Sequence, residues 1–241
     1  MGNKSIVLTA LVLSLSALSF ANITPVSSAV FLQASSLADL SCSPVIDSNG
    51  QSQGATLNSL SASVNAVSVC AGASVSSFAD VAASFTSASA GSVTFGRVGW
   101  STSGVSAGSA FPNQGLDYSY TFTPNDNEVF TLTFNVTGGG DLGGFGLNGF
   151  SVTLSGPNVS NNFAGLNTSG AYTFTLVAGD TYTLTITNGA NIFGGLGTLN
   201  ESMSGRFNFT SVSSIPEPSS LLLLGTGLVG AVSSVRRKLI G

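Results

Sequence analysis

The chain has 241 residues, with six Lys and Arg against ten Asp and Glu, no histidine, and a formal charge of −4 at pH 7. Without histidine, Ser-His-Asp and Cys-His nucleophilic schemes are excluded. So few cations cannot neutralise a phosphate backbone, which excludes nucleic acid as a partner.

At the N-terminus, Lys4 precedes the 15-residue apolar run Ile6–Phe20, and ITPVSSA follows a little further on. Ser27 and Ala29 are small residues at signal-peptidase spacing, so residues 1–29 are expected to be a secretory signal peptide cut after Ala29. An uncleaved membrane anchor is the competing reading.

Between the two greasy ends lie residues 30–212, long enough for one domain with a real core. This stretch holds two basic residues, Arg97 and Arg206, against nine acidic ones, a net charge of −7. Its abundant Ser, Thr, Asn and Gly predict a surface coated with hydroxyls and amides. Cys42 and Cys70 both fall in the exported part, where a disulfide is expected. Two free thiols or an intermolecular link are the alternatives. With no histidine and no CxxC spacing, no metal site is expected from the cysteines.

Residues 30–116 are hard to read. SLSASVNAVSV (59–69) alternates loosely as a strand does. ASVSSFADVAASF (73–85) has a helical stripe in Val75, Phe78, Ala82 and Phe85, but its Ser and Val content favours a strand. SVTFGRVGW (92–100) reads as another strand and carries the sole tryptophan.

From Asp117 the alternation sharpens. DYSYTFT sets Tyr118, Tyr120 and Phe122 against Ser119, Thr121 and Thr123, and PNDN turns the chain. EVFTLTFNV (128–136), FSVTLSG (150–156), AYTFTLV (171–177), TYTLTIT (181–187) and GRFNFTSV (205–212) repeat the period of two. Such segments, separated by Gly, Asn, Asp and Pro, are half-buried antiparallel strands. The expected fold is all-β: an antiparallel sandwich, jelly-roll-like or Ig-like, flanked by the signal peptide and a C-terminal transmembrane helix.

Chemistry-bearing motifs are thin. Gly144, Gly146 and Gly149 match the dinucleotide fingerprint, yet the strand FSVTLSG follows them where a helix is required. A glycoside hydrolase needs two carboxylates about 5–10 Å apart, and Asp126 with Glu128 is the nearest pair in sequence. Both sit in a turn of ordinary turn-formers, so no catalytic residue is assigned. No cofactor is expected. The turn oxygens around Asp126, with Asp141 and Asp180, would suit Ca2+, but no DxDxDG loop exists and ordinary turns account for them. Rows of Thr at 121–123, 131–133, 173–175 and 181–187 resemble those of ice binders but lack a solenoid's fixed repeat. A carbohydrate-binding module would need exposed aromatics, for which Trp100 and Phe111 are the candidates.

The tail is the most informative stretch. Leu221–Val235 holds 15 uncharged residues, which as a helix cover roughly 22 Å of a ~30 Å hydrocarbon core. Ser219, Ser220 and a snorkelling Arg236 extend this marginal span. Arg236, Arg237 and Lys238 would hold that end in the cytoplasm. Pro216 and Pro218 prevent the helix from continuing upstream.

The order Pro216-Glu217-Pro218, apolar run, Arg-Arg-Lys closely resembles the PEP-CTERM sorting signal of Gram-negative bacteria, over about the last 27 residues. That resemblance implies a sorting segment at 213–241 that is held transiently in the inner membrane. An exosortase-type membrane protease would recognise Pro216, Glu217 and Pro218 and pass the protein to the cell surface or an exopolysaccharide matrix. The same kind of tail is also associated with proteins described as ice-binding. The functional expectation is an exported, non-enzymatic surface or extracellular-matrix protein associated with exopolysaccharide. The alternatives are a carbohydrate-binding module, an ice-binding protein or a glycoside hydrolase.

Overall fold

The structure, a computed structural model, describes residues 22–38, 42–105, 113–138, 149–191 and 197–213. Apart from Ser213, these belong to one of the chain's two units, Ala21–Val212. The expected signal-peptide core, Phe111, Asp141 and the whole tail from residue 214 lie outside the described residues.

Twelve strands are described, in two six-stranded sheets. The first sheet runs in the order β2 (Val45–Gln53), β1 (Ile23–Ser36), β6 (Asn113–Pro124), β11 (Tyr182–Asn191), β8 (Phe150–Gly156) and β9 (Val159–Leu166). The second runs β10 (Ser169–Leu176), β7 (Glu128–Gly138), β12 (Gly197–Ser213), β5 (Ala90–Val105), β4 (Ala73–Ser87) and β3 (Leu60–Cys70). The strand-rich reading of 73–85 is borne out as part of β4. All six alternating segments from Asp117 onward are strands. Twelve strands exceed the seven to nine of an immunoglobulin-type domain and the eight of a jelly roll.

The period-two pattern produces the core. In β6 Tyr118, Tyr120 and Phe122 all point inward and are fully buried. They meet the other sheet directly: Phe122 stacks on Phe130 at 5.4 Å and Tyr120 on Phe209 at 5.4 Å. Further along, Phe95 of the second sheet lies 5.0 Å from Phe150 of the first. Each such ring contributes roughly 1.5–3 kcal/mol through burial, so this aromatic layer is what joins the sheets. Gly205 makes room for it, since a Cβ there would approach Phe150 to 2.7 Å.

The flanks are closed differently. On one side, Phe163 of β9 stacks on Tyr172 of β10 at 3.7 Å, bridging the two edge strands through rings. On the other, β2 reaches across to β3 with polar side chains. Asp47 Oδ2 accepts the Asn65 N–H at 2.8 Å, Asn49 Nδ2 donates to the Ser63 carbonyl at 3.2 Å, and Gln51 Oε1 accepts the Ser61 N–H at 3.0 Å. Residues 47, 49 and 51 share one face of β2 because side chains alternate. They therefore satisfy the edge groups of β3 that would otherwise template another strand.

Candidate functional site

The second sheet carries one irregularity that shapes its outer surface. Around Gly96 and Arg97, β5 has one residue more than each neighbour: Ala79 pairs with Val98 and Val81 with Phe95, while Met203 and Gly205 bracket the same pair from β12. Bulges of this kind re-aim side chains and shift the alternation by one. Here Arg97 is thrown outward, and its guanidinium lies 3.9 Å from the centre of the Phe78 ring, a cation–π contact. Gly96 leaves space for the Asp80 carboxylate, which a Cβ there would strike.

Asp80, Arg97 and Phe78 line a cleft of about 260 Å³ with Asp47, Ser63 and Asn65. Asp47 is already fixed by its bond to Asn65, so the floor is preorganised. The cleft sets guanidinium donors beside carboxylate acceptors at an exposed rim, an arrangement suited to hydroxyl groups. Sequence reasoning did not find it. Its sequence signals are that Arg97 is one of only two basic residues in 30–212 and that it follows a glycine inside a strand pattern.

The outer face of the first sheet is a second candidate surface. Register sets Ser27 opposite Thr121, Thr121 opposite Thr183, Thr183 opposite Ser155 and Ser155 opposite Ser160. A parallel row runs Ser119, Thr185, Thr153 and Asn162. The outward threonines expected at 121–123 and 181–187 thus form continuous ranks across the sheet. Part of their capacity is used internally: Thr121 and Thr183 hydroxyls lie 3.0 Å apart, as do those of Thr123 and Thr181.

Other expected residues fall as follows. Trp100 is fully buried, which corrects its reading as an exposed platform. Counting from Phe95, strict alternation would turn it outward, and the bulge at Gly96–Arg97 turns it in. Asp126 is exposed while Glu128 is wholly buried on the apolar face of β7, so the two do not face a common substrate. Asp180 accepts a hydrogen bond from Asn158 Nδ2 at 2.7 Å. Among the described residues, no three His, Cys, Asp or Glu side chains gather closely enough to hold a metal ion. Cys42 and Cys70 are joined by a disulfide, with Cα atoms 6.5 Å apart. Ser27 and Ala29 lie mid-strand in β1, paired with Thr121 and Ser119. Pro216, Glu217, Pro218, Arg236, Arg237 and Lys238 lie outside the described residues.

Those last six residues are where a known family enters. Residues 214–238 match the PEP-CTERM protein-sorting motif. The chain carries a PEP-CTERM tail. The motif indicates an exported protein that is anchored transiently in the membrane and processed by an exosortase, itself a membrane enzyme. No curated protein matches the chain. The PEP-CTERM match ends upstream at residue 214, so it speaks to delivery and leaves the sandwich to be interpreted from its own surfaces.

Proposed function

We propose that this PEP-CTERM protein is a non-enzymatic component of the cell surface or extracellular matrix, and that its sandwich adheres to exopolysaccharide through the hydroxyl ranks of the first sheet. The rank Ser27–Thr121–Thr183–Ser155–Ser160 carries the reading. Side chains spaced by the ~4.8 Å strand separation offer many weak, repeated hydrogen bonds. That suits a polymer held by multiplicity more than a small ligand held by one pocket. No cofactor is involved.

The test is electrophoresis of the exported protein through gels containing exopolysaccharide from the producing cells. Retardation that survives EDTA and falls in the Thr183→Val, Thr185→Val double variant supports the reading. Unretarded migration, or retardation indifferent to both substitutions, overturns it. A drop in freezing point beyond that of an inert protein would instead favour ice as the surface bound.

A second reading rests on the cleft. Arg97, Asp80 and Asp47 around Phe78 would act as a carbohydrate-binding module for a single sugar or chain end. Binding on a glycan array that disappears in Arg97→Ala while gel retardation persists would assign it there.

A further inference from the structure

The first described residue, Asn22, is held through three of its polar groups. Its main-chain N–H donates to Glu128 Oε1 at 2.8 Å, its carbonyl accepts the Asn125 N–H at 2.8 Å, and its Oδ1 accepts from Asn125 Nδ2 at 3.0 Å. β1 begins at the next residue, with Ile23 buried and paired with Pro124. A cut after Ala29 would therefore remove the Asn22 anchor and every β1–β6 rung from Ile23 to Ala29.

Glu128 raises a separate question. It stands in line with Phe130, Leu132 and Phe134 on the inward face of β7 and has no exposed surface. Among the described residues its partners are two neutral donors, the Asn22 N–H and the Ser211 hydroxyl. A buried carboxylate held by neutral donors is better compensated when a cation joins it. Two residues upstream of Ala21, Ser19 completes a small-x-small pattern that overlaps the end of the apolar run, the spacing a signal peptidase requires.

We infer that the leader is cut between Ala21 and Asn22, and that the new α-ammonium of Asn22 forms an ion pair with the buried Glu128 carboxylate. Water adds across the Ala21–Asn22 peptide bond, leaving a carboxylate on Ala21 and an amine on Asn22 that takes up a proton. The nitrogen that donates to Glu128 in the uncut chain thus becomes the missing cation without moving. Removal of the leader completes the domain's electrostatics, so processing and folding reinforce each other.

N-terminal sequencing and intact-mass measurement of the protein exported from a Gram-negative host test the cut. The expected first residue is Asn22. A first residue of Val30 or Phe20, or a retained Met1, overturns the proposal. The ion pair is tested on the same product by acylating amines at neutral pH and reading the N-terminal peptide. Labelling of the Asn22 amine is expected to be at least tenfold slower in the folded protein than in urea, and equal rates overturn the pairing. In Glu128→Gln the protection should fall, whereas in Ser211→Ala, which leaves the carboxylate in place, it should persist. Should Glu128→Gln not fold, the wild-type comparison with urea still decides.

Discussion

Asp47, on the edge strand of one sheet, accepts the main-chain N–H of Asn65 on the edge strand of the other. It is the first of a series from alternate residues of β2 that occupies the open edge of β3. Each such bond contributes about 0.5–1.5 kcal/mol net, but its larger role is to deny the edge to another chain. The Asp47→Ala, Gln51→Ala double variant should lose roughly 1–3 kcal/mol by urea titration. It should also acquire concentration-dependent oligomers on size-exclusion chromatography. Monomeric behaviour at all concentrations would show that the edge is protected by other means.

The Cys42–Cys70 bridge spans 28 residues of sequence separation and pins the start of β2's approach to the end of β3. By the chain-entropy argument, closing a loop of this size contributes about 3.5 kcal/mol. Cys42→Ser with Cys70→Ser, or reduction of the wild type, should lower stability by about that amount. Denaturant titration with and without reductant measures it directly.

Trp100 is the only tryptophan, so fluorescence reports its site alone. Fully buried, it should emit at short wavelength and resist quenching by iodide until the protein unfolds. Among the described residues its indole N–H has no hydrogen-bond partner. Trp100→Phe, which removes that unpaired donor, should therefore be far milder than Trp100→Ala, expected to lose about 3–5 kcal/mol. Neither substitution should alter retardation by polysaccharide if the variant folds.

Burial raises the Tyr118 hydroxyl well above the usual tyrosine range, with Tyr120 beside it adding to the effect, and burial raises Tyr120 as well. Tyr120 also donates to the Ala88 carbonyl at 2.7 Å. The folded state thus keeps protons that the unfolded chain releases near pH 10, so stability is full below that pH and falls above it. The slope is about 1.4 kcal/mol per pH unit for each tyrosine. Alkaline unfolding should coincide with tyrosinate absorbance at 295 nm, and Tyr118→Phe should make the loss shallower.

What could be read in advance follows from how each strand is used. β6, β7 and β11 have one wet face and one dry face, so their alternation is written in Tyr, Phe, Leu and Thr. β2 is different: VIDSNGQSQ spends its polar side chains on the backbone of β3, and such a strand looks like a loop in sequence. β9, with VSNNFAGL, is an edge strand held by the Phe163–Tyr172 stack and likewise lacks a rhythm. Ser27 and Ala29 read equally well as a processing site and as part of β1, because small residues that fit a signal peptidase also fit the hydroxyl face of a sheet. The cleft was hidden for a further reason. A single bulge at Gly96–Arg97 decides which residues of β5 face out, and its mark in SVTFGRVGW is slight: one in-strand glycine where the apolar alternation passes from Val93 and Phe95 to Val98 and Trp100.

Delivery makes the remaining claim that can be checked without knowing any ligand. If the PEP-CTERM tail is recognised through Pro216-Glu217-Pro218, the mature protein should end near those residues, and its mass should be lower by the apolar segment and Arg236, Arg237 and Lys238. Pro216→Ala with Pro218→Ala should leave the tail attached and the protein in the membrane fraction. The body should fold equally well in both cases, because its strands end at Ser213, before the motif begins. A double variant that is still released with the shortened mass would show that the tail is removed without reference to the prolines.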